Sequence, residues 1–532
     1  MQAPDSQPTG RPMPLDGQTP LDAAGRLGSD SLSGSVLLLV ALTVLQRGVG
    51  FFREIFSCRW LSPEQLGLWD MAFGFLMLAG PLAVLSLPGS FGRYVERYRQ
   101  QGQLRVFLRR TATFCGLMAV PAVAGLVAAR RGFAYLIFGT PQRSDLVVLL
   151  GASLLVIIAF NYLICLLTAL RNIRLVSAME LSNSLLFAVL GLGLMALHSP
   201  TVESLIVAYA LACLGTVVGG LTWLARAWPS FPKPAAPLPH RELWTRLLPF
   251  ASWLMLINLL WNLFDVVDRY MIVHFAPGSP ADVLAEVGNY RSSRVLPLLL
   301  SSVTVMIATA ALPHWSHDWE AGHRLRVSDR LNLLLKVWAI VLTAGAVAIR
   351  LAAPLLFQVA FQRKFAGGLS VLPWTLTYCT WFGLTMIAQN YLWCAEKASR
   401  VGFVVLTGVI VNVVLNCLLL PRLGLLGAVL ATTAANATAL GLMVALARHF
   451  GFRVHSGTVT ALLLPVCIPL PPWIAVLLLA TCLLELVGSD HLLSADEKHE
   501  LRSGAGQYWA KLAPRRWLPL PGVRGPAAVP GK

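Results

Sequence analysis

Two arginines and a glutamate, Arg47, Arg53 and Glu54, follow directly on the apolar run 35–43. A charge near the middle of a bilayer costs roughly 2.5–3.5 kcal/mol on insertion scales, so it needs a partner or a water-filled cavity. A guanidinium facing such a cavity is suited to an anion, because its planar donor fork fits phosphate oxygens and never loses its proton. The bland alternative puts Arg53 and Glu54 at the outer interface with Arg47 snorkelling to it. Arg47 and Arg53 are six residues apart and do not share one face of an ideal helix. Gly48 and Gly50 between them loosen the helix or admit a close neighbour. Further along, Asp265 and Arg269 stand at i, i+4 with the acid first, the favoured order for an intrahelical pair. Asp268 adjoins them. Such a pair fixes helix packing or takes part in substrate handling. Asp70 and Arg291 occupy like places in the two halves of the chain with opposite sign, so a charge-pairing gate is one reading. Arg291 and Arg294 lie three apart on one face and form a second candidate anion site.

The elements that must hold these charges are membrane helices. Only 13% of the 532 residues are charged, against about a quarter in soluble chains, and mean hydropathy is +0.67. Apolar runs are continuous and not alternating, which indicates helices and excludes a barrel. The expected fold class is an all-α polytopic membrane protein. About 14 segments fit, at 32–56, 66–87, 112–129, 145–169, 176–198, 205–225, 247–274, 290–312, 331–349, 369–392, 401–420, 425–447, 457–469 and 473–486. The last two are the weakest, being broken by Pro469, Pro471 and Pro472. Arginine and lysine concentrate in the even-numbered connections, the second carrying Arg93, Arg97, Arg99, Arg105, Arg109 and Arg110. That asymmetry puts the even connections and both termini on the cytoplasmic side of the membrane. The formal net charge of +17 therefore reads as loops on an anionic leaflet, and no basic domain stands apart to bind nucleic acid.

A weak internal repeat divides the chain. Gln65-Leu66-Gly67-Leu68-Trp69-Asp70 resembles Glu286-Val287-Gly288-Asn289-Tyr290-Arg291, and in both halves a charged amphipathic stretch follows, at 93–110 and 314–336. Six helices separate the copies, so both halves keep one orientation in the membrane. The expected domains are a disordered cytoplasmic tail 1–30, an N-terminal lobe 31–227, a proline-rich linker 228–243, a C-terminal lobe 244–450, a hairpin 451–488 and a cytoplasmic tail 489–532. The two pseudo-symmetric six-helix lobes would surround a central cavity.

Catalysis finds little support in the residues. Nine cysteines are scattered singly, and none forms a CxxC pair or adjoins histidine at ligand spacing, so neither a metal site nor a disulfide framework is indicated. No HExxH, GxSxG, Walker loop or dinucleotide turn occurs, and no cofactor is expected. Asn390, Asn412, Asn416 and Asn436 within apolar helices read as interhelical hydrogen-bonding groups. Glu180 reads as interfacial.

The run Arg47-Gly-Val-Gly-Phe-Phe-Arg53-Glu54, with Leu61-Ser-Pro-Glu-Gln-Leu-Gly67-Leu-Trp-Asp and Leu87-Pro88-Gly-Ser, resembles the start of bacterial polysaccharide flippases. Asp268-Arg269-Tyr-Met-Ile, Val287-Gly288-Asn-Tyr and Asn412-Val-Val-Leu-Asn416 agree in the second half. These flippases belong to the multidrug/oligosaccharidyl-lipid/polysaccharide exporter superfamily. The resemblance spans about residues 32–450. It implies two six-helix lobes around a cavity open to each membrane face in turn, carrying a sugar linked to polyprenyl pyrophosphate. The related lipid II flippases of that superfamily carry cavity arginines in the first and eighth helices, which by resemblance implies Arg47 and Arg53, with Arg291 or Arg294, as substrate ligands. Glu54, Asp70, Asp265, Asp268 and Arg269 would serve gating or charge pairing. The acidic-start and Pro-Asn signatures of lipid II flippases are not evident, which favours polysaccharide or O-antigen cargo.

The expectation is thus a non-enzymatic flippase for an anionic lipid-linked oligosaccharide. It would be a monomer among membrane lipids, with polysaccharide assembly enzymes as candidate partners. Alternatives are a lipid II flippase, a cation-coupled drug antiporter of the same superfamily, a membrane glycosyltransferase or polymerase acting on lipid-linked sugars, and a non-transporting scaffold.

Overall fold

The computed structural model describes residues 32–233, 238–489, 492–495 and 497–499. The expected tail 1–30 lies outside the described residues, as does most of the tail 489–532 and part of the linker 228–243. Every regular element among the described residues is helical. In chain order the α-helices are α1 Leu32–Trp60, α2 Pro63–Ala83, α3 Phe91–Gln100, α4 Leu104–Ala128, α5 Arg130–Phe138, α6 Ser144–Ala169, α7 Ile173–Leu197 and α8 Val202–Ala227. They continue with α9 His240–Phe275, α10 Pro280–Glu320, α11 Arg324–Val359, α12 Ala366–Cys394, α13 Ala398–Leu423, α14 Leu425–His449, α15 Ser456–Leu463 and α16 Pro472–Gly488. Ten of the described helices are long and apolar enough to cross a membrane. The chain is a multi-pass, all-α membrane protein.

Helix ends follow local chemistry. Pro63 occupies the first turn of α2, where a missing N–H is harmless, and the Ser62 side chain accepts a hydrogen bond from the Gln65 N–H. The expected helix 13 is an eight-residue α-helix followed by a 3-10 turn, Leu464–Cys467, because Pro465 removes a donor there. Twelve such residues rise roughly 18 Å, short of the roughly 30 Å hydrocarbon core. The count of 14 full spans is thus not what the described helices show. In the first half the chain leaves α2 through Leu85 and Ser86 at positive φ and enters the amphipathic α3. That helix buries Phe91, Tyr94, Val95 and Tyr98 and turns Arg93, Glu96, Arg97 and Arg99 outward or halfway out. In the second half the corresponding charged stretch is not separate, since α10 runs on to Glu320 and α11 starts at Arg324.

The chain packs as two compact units, residues 1–288 and 289–532. The repeat boundary expected at 228–243 concerns sequence, whereas the packing division reflects the contacts α9 makes in the first unit.

Within that first unit, α2 and the first turns of α10 touch backbone to backbone. A Cβ built on Gly67 would lie 1.9 Å from the Leu284 carbonyl oxygen, and one built on Gly288 would lie 1.9 Å from the Pro63 carbonyl oxygen. Each glycine meets the carbonyl four residues before the other, so the crossing is symmetric and tolerates no side chain. Gly48 and Gly50 differ: no described atom lies within 4 Å of a Cβ at either, so the expectation that they admit a close neighbour is corrected. Gly67→Ala and Gly288→Ala are each expected to lower thermal stability or purified yield sharply, and Gly48→Ala to leave both near wild type. Melting curves and size-exclusion profiles in detergent check this.

Candidate functional site

The arginine of α9 is built into the first unit. Arg269 is 3% exposed and Asp70 0% exposed. Its Nη1 donates to Asp70 Oδ1 of α2 at 3.3 Å, and its Nη2 donates to Asp265 Oδ2 at 2.7 Å and to the Asp265 carbonyl at 2.8 Å. The i, i+4 pair expected from sequence is therefore formed, and it carries a link to α2 that the sequence did not reveal. Gly74 leaves the room: a Cβ there would come 3.2 Å from Arg269 Nη1. Asp268 is buried and its Oδ1 accepts the Arg269 backbone N–H at 3.0 Å.

Arg53 and Glu54 of α1 form a neighbouring pair, Nη2 donating to Oε1 at 3.1 Å. The Arg53 guanidinium lies over the Phe187 ring of α7, 4.0 Å from its centroid. Phe187 belongs to a cluster with Trp69 and Phe73 of α2 and Tyr209 of α8; ring centroids of Phe187 and Tyr209 are 5.1 Å apart, and those of Trp69 and Phe187 5.6 Å. A cation over an aromatic face is stabilised by roughly 0.5–2 kcal/mol. Among the described residues, this guanidinium makes one hydrogen bond, so further donors are left for a ligand. Sequence reasoning passed over this platform, because aromatic residues on three separate helices carry no shared spacing.

Arg47 lies one and a half turns earlier on α1 and is exposed. Its charge acts on Glu180 of α7, and the two helices are tied where Ser184 Oγ donates to the Gln46 carbonyl at 3.3 Å. Glu180, read from sequence as interfacial, is thus an electrostatic neighbour of Arg47.

In the second unit Arg294 is buried at 4% exposure, with its guanidinium 5.5 Å from the Tyr290 ring centroid. Arg291 is half-buried. The α10 stretch that bears them is keyed to α12. The Tyr290 and Tyr378 hydroxyls share a hydrogen bond of 2.9 Å, Ser293 Oγ and Thr375 Oγ1 one of 3.1 Å, and Ser301 Oγ donates to the Cys379 carbonyl at 3.2 Å. Of the four asparagines expected to bond between helices, Asn390 and Asn412 do so, whereas Asn416 bonds to Asn412 within α13 and Asn436 to the Thr432 carbonyl within α14. Asn390 Nδ2 donates to the Ala308 carbonyl at 2.9 Å, Asn412 Nδ2 to Thr432 Oγ1 at 3.2 Å, and Asn416 Nδ2 to Asn412 Oδ1 at 2.7 Å. No group of three potential metal ligands occurs among the described residues.

The sequence signature of the family described as "polysaccharide biosynthesis protein" matches residues 32–317, more than half the chain. No curated protein matches the sequence. Solved structures share the fold at low identity. A lipid II flippase, MurJ, in an inward closed conformation is 13% identical, with a TM-score of 0.65 over 90% of this chain and 99% of that one. An inward-facing multidrug resistance MATE transporter of the MOP superfamily is 15% identical, with a TM-score of 0.61 over 77% and 94%. An outward-facing form of such a transporter scores 0.55 over the same shares at 15% identity.

Asp265 is exposed, but Asp70 and Arg269 are buried, and breaking that buried pair strands a charge, which costs about 3–5 kcal/mol. Arg269→Ala is accordingly expected to unfold at markedly lower temperature than wild type in detergent. Combining Asp70→Asn with Arg269→Gln is expected to lose less than the sum of the two single changes, as a double-mutant cycle would read.

Proposed function

The chain belongs to the polysaccharide biosynthesis protein family, and from that premise we propose that it is a flippase for an anionic lipid-linked oligosaccharide. The observation that carries the reading is Arg53. On α1 its guanidinium is braced by Glu54 and laid on Phe187, which fixes its plane while leaving donors for phosphate oxygens. Arg47 lies nearer the start of the same helix and would take the anion before or after it. Arg291 or Arg294 would supply positive charge from the second half of the repeat. Two lobes, residues 31–227 and 244–450, would expose the headgroup to each membrane face in turn while the polyprenyl tail stays in lipid. No covalent step is required, so the protein is not an enzyme in this reading. The basic even-numbered connections support an inner-membrane location with both termini cytoplasmic.

The fold likeness to a lipid II flippase, which extends over 99% of that chain, favours lipid II cargo as the second reading. Depletion in the native host separates the two. Build-up of a polyprenyl-linked repeat unit with intact peptidoglycan supports the first, and build-up of lipid II supports the second. Drug sensitivity with normal surface polysaccharide would contradict both.

Arg53→Lys keeps the charge but loses the planar fork. It is expected to lower surface polysaccharide at least tenfold in a complemented deletion strain at normal expression. Arg47→Ala and Arg294→Ala are expected to do the same. Full complementation by all three would remove these residues from the site.

A further inference from the structure

A groove outside the charged elements described above opens between α4, α6 and α8 of the first unit, with a volume of about 380 Å³. Its walls are apolar: Ala112, Gly116 and Val120 from α4, with side chains such as Leu155 of α6 and Leu221 of α8. Val120, Leu155 and Leu221 are exposed along it, so it opens to the surrounding lipid. The Tyr162 hydroxyl is engaged by protein partners, donating to the Leu108 carbonyl at 3.1 Å and lying 3.0 Å from Thr111 Oγ1.

One end of the groove is charged. Arg109 lies at its mouth with its guanidinium carbon 5.5 Å from the Trp228 ring centroid. Trp228 is itself held in place, since Arg105 Nη2 donates to its carbonyl at 2.8 Å and to that of Pro229 at 2.9 Å. Arg109 is exposed, and among the described residues its guanidinium donates no hydrogen bond. Tryptophan beside arginine at a helix end marks the level of lipid headgroups.

The dimensions name the occupant. From Arg109 to Val120 the helix rises roughly 16 Å at about 1.5 Å per residue. One leaflet contributes half of a hydrocarbon core of about 30 Å, or about 15 Å. The groove thus has the depth of one leaflet, an apolar wall along that depth and a guanidinium where a phosphate would lie.

We propose that the first unit binds one anionic phospholipid of the leaflet on the arginine-rich face, with one acyl chain in this groove and its phosphate at Arg109. Bound there, the lipid spans α4, α6 and α8 and braces them against one another. The site is separate from the charged stretch of α1 and does not depend on the transport reading.

The test uses the full chain in detergent, titrated with phosphatidylglycerol or phosphatidylcholine. Retained lipid is counted by native mass spectrometry, and stability is followed by thermal melting. Wild type is expected to retain one tightly held phosphatidylglycerol in preference to phosphatidylcholine by roughly five-fold, the scale of one cation at an anionic lipid surface. Arg109→Gln should remove the headgroup preference while chain binding persists. No described atom lies within 4 Å of a Cβ at Gly116, so Gly116→Leu projects into the groove without a backbone clash and should abolish the tightly held lipid. Equal retention of the two lipids by wild type, or unchanged retention and stabilisation in both variants, would overturn the proposal. A wild type that releases every lipid as readily as Gly116→Leu would do so too.

Discussion

The Arg269 guanidinium, enclosed among helices and shared between Asp70 and Asp265, is the interaction on which the first unit depends. A buried cation is tolerable only with partners in good geometry, and losing one of them is far worse than never burying the group. Asp70 is fully buried and lies on α2, while Asp265 is one turn from Arg269 on α9. The network therefore locks two helices that are 199 residues apart in sequence. It also explains small residues on α2. Gly74 admits the guanidinium, and Gly67 admits the backbone of α10. The same helix reaches other elements through Glu64, which accepts from Arg143 at 2.7 Å, and Gln65, which accepts the Val202 N–H at 2.8 Å. Within the first unit α2 is thus the hub against which α8, α9 and the first turns of α10 are set.

The charged residues divide by how their environment uses them. Arg269 has two carboxylates and a carbonyl around it, which suits it to holding helices together. Arg53 has one carboxylate and an aromatic ring, an arrangement that orients a cation and leaves it able to bind. The proposed function follows that difference: rigid pairing in α2 and α9 supports a cation on α1. The aromatic cluster of Trp69, Phe73, Phe187 and Tyr209 joins the two, because Trp69 lies one residue from Asp70.

Hydropathy made most of the fold legible, since a lipid-spanning helix must be apolar along its whole length. The expected segments 145–169 and 425–447 nearly coincide with α6 and α14. The start of α10 was not legible: Asp282 and Glu286 lower hydropathy over its first two turns, so the apolar signal began at Tyr290 and the helix begins at Pro280. In the site, the Asp265–Arg269 pair was legible from spacing alone. The link to Asp70, the effect of Arg47 on Glu180 and the ring under Arg53 were not, because each joins helices far apart in sequence. The motif match at Gly67 and Gly288 took on physical meaning only in the structure, where each glycine faces the other's preceding turn.

Translocation itself gives the most direct test of the central claim. The purified protein would be reconstituted in vesicles containing a fluorescent polyprenyl pyrophosphate oligosaccharide, and headgroup exposure to an external quencher followed with time. The flippase reading predicts that the protected inner-leaflet pool becomes accessible with wild-type protein, and at least tenfold more slowly with Arg53→Lys. Accessibility at the protein-free rate with folded wild-type protein would contradict it.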